Sequence, residues 1–403
     1  MTWRFIVVLC ITLVTLSCSG DQASNLPSDS DHKPTNASPQ KALERTCNVL
    51  WGMQAADGGW HSETYGILRS GQSLTPFVLH ALLNAPQKHR KNKQEAIDKA
   101  LVFIERNINK HGALGLSDGL VVDYPNYATS FALRCLLKTG RTRDDLKIKR
   151  IFSYLETQQY TEANGYKPIA PAYGGWGFGY ETLSRGVPGH MDISHVRCVL
   201  QALHEAGHEK KQTFPKAEDF LRLVQRRSSQ IHRQPKVPGE KESNKPIPYD
   251  GGFYFSPVVL GANKGRHAST NNSHRAFFRS YSTATCDGAL ALLACGVKPE
   301  DDRLKDARKW LEEFALIERP DGIPVDFIQP WHRAVHFYHL AVRAEACHKL
   351  NIGGSWRREI SNHLVSMQAA NGSFRNERSP LMKEDDPIIS TTHALIALTY
   401  AMK

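Results

Sequence analysis

The chain has 403 residues, 41% hydrophobic and 23% charged, with 29 Gly, 21 Pro and a formal net charge of +11. That composition excludes a disordered chain, a collagen-like chain and a disulfide-dense miniprotein. Beyond the first residues no apolar run is long enough to span a bilayer, which excludes a multi-pass membrane protein.

Residues 1–17 read as an export signal: Arg4 stands near the start, Phe5 to Leu16 is apolar, and small residues surround Ser17. The apolar stretch is too short for a spanning helix, so cleavage or lipid anchoring is expected rather than a membrane stem. Val14-Thr15-Leu16-Ser17-Cys18 resembles the lipobox of bacterial lipoproteins, although Thr15 stands where that family usually has Leu. The resemblance implies acylation of Cys18 and an anchor in the cell-envelope membrane; simple secretion is the alternative. Residues 18–40 have almost nothing to bury and read as a flexible linker. Residues 41–403 then form one domain.

Six Cys lie beyond the signal region: Cys47, Cys135, Cys198, Cys286, Cys295 and Cys347. None belongs to a CxxC pair, which speaks against a local zinc knuckle or redox motif. Most sit in apolar helical segments, as small core residues do. No disulfide pairing is legible.

Two distant segments share one pattern. LWGMQAADGGW carries Leu50, Gln54, Gly58 and Trp60, and LVSMQAANGSF carries Leu364, Gln368, Gly372 and Phe374 at the same spacing. Looser copies lie between them: Phe103 and Asn107 with Gly112 and Leu114, Leu155 and Gln159 with Gly174 and Trp176, Leu221 and Gln225 with Gly251 and Phe253. A further copy, Leu311 to Gly322, keeps the Asp-Gly turn and loses the Gln. A second, more apolar helix follows each copy, from SLTPFVLHALLNA to ISTTHALIALTYAMK, and several end in Gly or Asn. The unit is helix, Gly-rich turn, helix. Six units give about twelve helices, the amphipathic first ones outside and the apolar second ones inside. Closed into a ring they make an all-α fold, an α/α toroid of six hairpins; an open solenoid is the alternative.

The Leu-x3-Gln-x3-Gly-x-Trp/Phe pattern resembles the QW repeat of squalene–hopene cyclases. With YGGWGFGY (Tyr173 to Tyr180) and DGGFYFSP (Asp250 to Pro257) it is similar to the prenyltransferase and squalene oxidase repeat generally. The resemblance spans residues 42–403 and implies the toroid. It also implies that the Gln and the aromatic brace outer-helix ends, for which there is a physical reason. An amide satisfies free backbone groups at a helix terminus while a ring shields it. Activity is not implied, because this repeat serves several functions.

Squalene–hopene cyclases use two barrels and a DxDD acid, whereas this chain has length for one barrel and contains no DxDD. The acidic runs Asp144-Asp145, Glu300-Asp301-Asp302 and Glu384-Asp385-Asp386 lack that spacing and read as surface loops. Protonating an alkene needs a strong, dry carboxylic acid, so intact polycyclisation is not expected. Protein prenyltransferase β-subunits resemble the chain in having one barrel, with zinc held by Asp, Cys and His at inner-helix starts. The matching residue types are Cys286 and Asp287 on the fourth inner helix, His336 or His339 on the fifth and His393 on the sixth. Cys, His and carboxylate make a sound zinc set, but Ala284 stands where that family has its Asp. Core histidines without any cofactor are the competing reading. The CGEQ-like element of thioester-domain relatives is absent.

Inner-helix starts carry Thr75, Thr129, Asp192, Ser194, His195, Thr283, Thr285, Thr392 and His393. Asp192 is most simply an N-cap. Trp60, Tyr65, Trp176, Phe178, Tyr180, Phe253, Phe255, Trp331 and Phe374 fall near the turns at one mouth of the ring. Together they predict a cavity with an aromatic wall and a polar floor; packing between repeats is their plainer role. Long polar, basic insertions follow Gln225 and Val258 and read as lids, partner surfaces or solvated loops. The positive balance suits an anionic envelope, lipid head groups or acidic polysaccharide, and export disfavours nucleic acid. Three functions follow. The first is a toroid that binds an apolar, isoprenoid-like or extended ligand. The second is an enzyme on isoprenoid-like or polysaccharide substrates, with Asp192, His195, Asp287, His336 and His393 as catalytic candidates. The third is a scaffold for envelope proteins.

Overall fold

The structure, a computed structural model, describes residues 38–116, 123–208, 212–230, 233–235, 249–265 and 278–403. Cys18, the export signal, nearly all of the linker and most of the two basic insertions lie outside the described residues. Helices pair in chain order: α1 (Pro39–Gly52) with α2 (Leu74–Asn84), α3 (Gln94–Asn107) with α4 (Pro125–Lys138), and α5 (Leu146–Thr157) with α6 (Ile193–Glu205). Then α7 (Thr213–Val224) pairs with α8 (Ser282–Ala294), and α9 (Asp302–Glu313) leads through the single turn α10 (Trp331–Ala334) to α11 (His336–Lys349). The last pair is α12 (Trp356–Met367) and α13 (Pro387–Ala401). The described residues contain no strand, only isolated bridges. None of their helices is long and apolar enough to cross a membrane.

Burial sorts the helices as their patterns predict. In α9 only Leu304, Ala307, Trp310 and Leu311 are buried, one stripe of a charged helix. In α8 every residue but Leu293 is buried, so this helix has neighbours all round. The inner helices pack in sequence, α2 on α4, α4 on α6, α6 on α8, α8 on α11 and α11 on α13, and α13 returns to α2. The ring is closed. At the seam Arg45 donates to the carbonyl of Ala369 at 2.8 Å, and Gln368 donates to that of Ala42 at 2.9 Å. These contacts exclude the open solenoid.

The repeat residues act as braces. Gln54, Gln159, Gln225 and Gln368 each donate to the glycine carbonyl of their own turn, those of Gly58, Gly174, Gly251 and Gly372. The same amides reach the first turn of the next outer helix, at Ala96, Thr213, Arg303 and Ala42. An L-residue at Gly174 would hold φ +82° and drop its Cβ onto the Lys216 carbonyl. The indoles of Trp60 and Trp176 cap their own outer helices by donating to the carbonyls of Leu50 and Leu155, both at 2.7 Å. Where the fifth copy loses its Gln, buried Arg343 of α11 donates to Leu311 and Phe314 instead, both at 3.0 Å.

The three acidic runs expected on surface loops each supply a helix cap; the first two do lie at the surface, and Glu384 and Asp386 of the third are buried. Asp145, Asp301 and Asp386 accept from the first turns of α5, α9 and α13. Glu384 is buried and accepts from the amides of Phe337 and Tyr338 at the start of α11. A carboxylate at a helix N-terminus meets unpaired N–H groups and the positive end of the dipole, which holds Glu384 and Asp386 inside, while Asp145 and Asp301 cap from the surface.

Candidate functional site

The four bracing threonines show which face of an inner helix looks inward. Thr75, Thr129, Thr285 and Thr391 accept from the amides of Trp60, Leu114, Phe253 and Phe374, so they face the repeat turns. Two residues further on, ~200° round a helix, lies the opposite face. Phe77, Phe131, Asp287 and His393 occupy it. Gly288 of α8 lies against the ring of Phe253, where a Cβ would collide.

The ring encloses a cup of about 390 Å³ that is open to solvent. A chain of ring contacts borders it. Phe178 lies 5.0 Å from His195, His195 4.5 Å from Tyr127, and Tyr127 6.1 Å from Phe131. The chain continues through Phe77 at 5.3 Å to His393 at 5.0 Å and Tyr338 at 5.5 Å. Inner helices α2, α4, α6, α11 and α13 all contribute. Phe255, Trp331, Leu68, Leu74 and Met382 add further apolar lining. The polar lining includes Asp192, His190, His195, Thr283, Lys264 and Lys383. A second, smaller cavity lies beyond Phe77, Tyr127, Phe131, Tyr338 and His393, which line both.

Asp192 has two tasks. Its Oδ1 caps α6 by accepting from the amides of Ser194 and His195, at 2.9 and 3.1 Å. Its Oδ2 meets His195 Nδ1 at 2.9 Å and His190 Nε2 at 3.3 Å. Burial opposes ionisation of this carboxyl, but His195 and His190 outweigh it and hold it well below the usual range. The opposite nitrogen of His195, Nε2, has no hydrogen-bond partner among the described residues. His393 lies between Phe77 and Tyr338, and burial lowers it to about 3, which keeps it neutral.

Beneath the cup, Asp287 accepts from Tyr338 Oη at 2.8 Å and faces Arg197 Nε at 2.9 Å. Burial pushes its carboxyl up to about 7 against the pull of Arg197. Arg197 also meets Glu345 at 3.3 Å, so a buried charge network crosses the ring.

The expected site residues divide. Phe178, Phe255, Trp331, Asp192, His195, Ser194, Thr283 and His393 line the cup. Trp60, Trp176, Phe253 and Phe374 do not; each is at most 1% exposed and packs within the hairpins, the plainer role expected of them. Tyr65 and Tyr180 also lie outside the lining. Tyr65 bonds to Asp385 through its hydroxyl, and the Tyr180 carbonyl accepts from Tyr154. Thr75, Thr129 and Thr285 brace turns, and Thr392 bonds within α13 to Ile388. The zinc set does not assemble. His336 faces His363 of α12 at 3.1 Å, His339 meets the Leu316 carbonyl at 3.0 Å, and Asp287 is taken by Tyr338 and Arg197. Among the described residues no three such side chains converge on one point, so this set does not fit a zinc ion. Cys286 is buried with its thiol pushed up by desolvation, and all six described Cys are free.

Sequence reasoning missed Phe77, Tyr124, Tyr127, Phe131, Tyr338, Lys264 and Lys383. For Phe77 and Phe131 the spacing from the bracing Thr, the same offset that places the expected His393, was a usable signal. Lys264 and Lys383 sit on loops, where no periodicity points.

No family model matches the sequence, and no curated protein matches it. Solved structures do match the fold. The type II terpene cyclase MstE from Scytonema, in complex with geranylgeranyl dihydroxybenzoate, superposes with a TM-score of 0.56 at 14% identity. The match covers 90% of this chain and 97% of that one. An inactive variant of the alpha-1,6-mannanase of Salegentibacter, in complex with alpha-1,6-mannotriose, gives a TM-score of 0.50 at 12% identity, covering 90% and 99%. The chain has the α/α-toroid fold.

Proposed function

We propose that the protein binds an apolar or extended ligand in the cup of its ring and is not an intact polycyclising enzyme. One observation carries this reading: side chains from five inner helices line a roughly 390 Å³ cup with a continuous chain of rings. Aromatic walls reward a ligand with apolar surface, and the volume suits a small molecule or one end of a long one. Fold neighbours solved with an isoprenoid-bearing substrate or a mannotriose support an extended ligand. The test is binding of the neutral apolar fluorophore N-phenyl-1-naphthylamine. Saturable binding that weakens in Phe131→Ala and Phe178→Ala is expected; binding unchanged in both variants would place the ligand elsewhere.

A second reading, an enzyme on isoprenoid-like or polysaccharide substrates, is favoured by the imidazole of His195, which Asp192 orients at the wall of the cup. Such a pair suits general acid–base chemistry. Turnover lost in His195→Gln while ligand binding persists would favour it. The address is a separate proposal: export, with Cys18 acylated and held in the envelope membrane. Labelled palmitate incorporated by the wild type and not by Cys18→Ser would support the anchor, and no incorporation into either would remove it.

A further inference from the structure

We infer that Lys264 is an anion site, so that the ligand of the cup carries a carboxylate or phosphate group at one end. This rests on the proposed cup and adds the chemistry of the ligand's head. Lys264 lines the cup and is 8% exposed. Its Nζ lies 4.4 Å from the ring centre of Phe255 and 5.0 Å from that of Trp331, two other lining residues. The one hydrogen bond of that Nζ among the described residues is a long one, 3.5 Å to the Ala262 carbonyl. No carboxylate there lies within ion-pair distance of it.

The backbone holds this amine in place. Neighbouring Asn263 is 2% exposed and accepts from the amides of Phe255 and Ser256 at 2.9 and 3.0 Å. Its own amide donates to the Ser256 carbonyl at 2.8 Å, so the loop before Lys264 is pinned to the Phe255 segment.

The interior carboxylates are already engaged. Asp192 caps α6 and holds two histidines, Asp287 is taken by Tyr338 and Arg197, and Glu384 caps α11. What remains is a largely buried ammonium against two aromatic faces, in a lining whose one carboxylate among the described residues, Asp192, is already engaged. Ring faces compensate a buried cation only in part, and an unpaired buried charge is costly. An anionic group entering with an apolar body supplies the missing partner, while that body takes the ring wall. Lys383, which hydrogen-bonds Tyr124 Oη at 3.2 Å, adds a second positive group to the same lining.

The full chain and its Lys264→Met variant are titrated at pH 7 with dodecanoate, dodecyl phosphate and dodecanol, each displacing N-phenyl-1-naphthylamine. Wild type is expected to prefer at least one anion over the alcohol, and Lys264→Met to lose about tenfold in affinity for it, one hydrogen-bonded charge pair. Because Lys264 also lines the cup that holds the fluorophore, the readout is the ratio of anion to alcohol affinity on the same protein, which should fall about tenfold in the variant. The two anions separate a carboxylate head from a phosphate head. Equal affinity for all three chains in wild type, or anion binding unaltered in the variant, overturns the anion site and leaves the apolar cup standing. If the fluorophore does not bind, calorimetry with dodecanoate and dodecyl phosphate decides: a Lys264-dependent signal upholds the anion site without the apolar reading, and no signal removes both. Lys264→Gln serves if the Met variant does not fold.

Discussion

One buried amide bonds across the seam of the ring, and its removal is a quantitative test of how the toroid is held. Gln368 Nε2 donates to the Ala42 carbonyl at 2.9 Å and to Thr46 Oγ1 and the Gly372 carbonyl at 3.0 Å. An amide has two hydrogens, so these three contacts amount to about two full bonds. Gln54 gives the same number in the first repeat, to Gly58 and Ala96, both at 2.9 Å. The difference is water: Gln368 is 8% exposed, whereas Gln54 is half-buried. Replacing each by Leu removes the donor without opening a large cavity. Solvent can reach the abandoned acceptors beside position 54, so that loss should cost about 1 kcal/mol, the net worth of an ordinary bond. At the seam the Gly372 carbonyl is left dry, and the loss rises to about 2–3 kcal/mol. Urea unfolding followed by circular dichroism should show the larger midpoint shift for Gln368→Leu, with slopes unchanged. Equal shifts, or a larger one for Gln54→Leu, would refute the claim that burial at the seam sets the energetics.

Arg343→Met strips the donors from the carbonyls of Leu311 and Phe314, and should cost about 2–4 kcal/mol in urea unfolding, as expected for buried groups left unpaired. Asp192→Asn keeps an N-cap oxygen but removes the charge facing His195. Because the folded carboxyl sits below its unfolded value of ~3.9, its contribution is present at neutral pH and disappears as pH falls through the depressed folded value. The stability gap between wild type and variant should therefore be about 1–2 kcal/mol at pH 7 and shrink below pH ~4. Burial lowers Lys264 to about 8, with Asp192 and Asp287 pulling the other way. Raising the pH through that value neutralises the amine of the free protein, so affinity for an anionic chain should fall by up to roughly tenfold per pH unit above it. The alcohol of the same length should show no such loss.

Much of the architecture is written locally. The copies at Gln54 and Gln368 fold alike because each contains its own turn glycine, its own aromatic and its own helix to cap. The apolar character of α8 and the single stripe of α9 already assign them to the inner and outer layers. The site was less legible. Trp60, Trp176, Phe253 and Phe374 are the conspicuous aromatics, yet they are absorbed by bracing, since the ring that shields a helix end is not free to face a ligand. Phe77 and Phe131 sit in apolar helix interiors with nothing to mark them except their offset from a threonine whose role appears only in three dimensions. Glu384 and Asp386 looked like part of a solvated acidic loop, and were drawn inside by helix ends that need acceptors.

From sequence alone come the six hairpins, their inner and outer helices and the Gln and Trp braces, because each depends on contacts within one repeat or with the next. Tertiary structure alone decides that α13 meets α2, that rings from five helices border one cup, and that Lys264 stands in it with no carboxylate of the described residues within ion-pair distance. Those facts depend on residues as far apart in the chain as Phe77 and His393, and no local period records which side chains a closing ring will bring face to face.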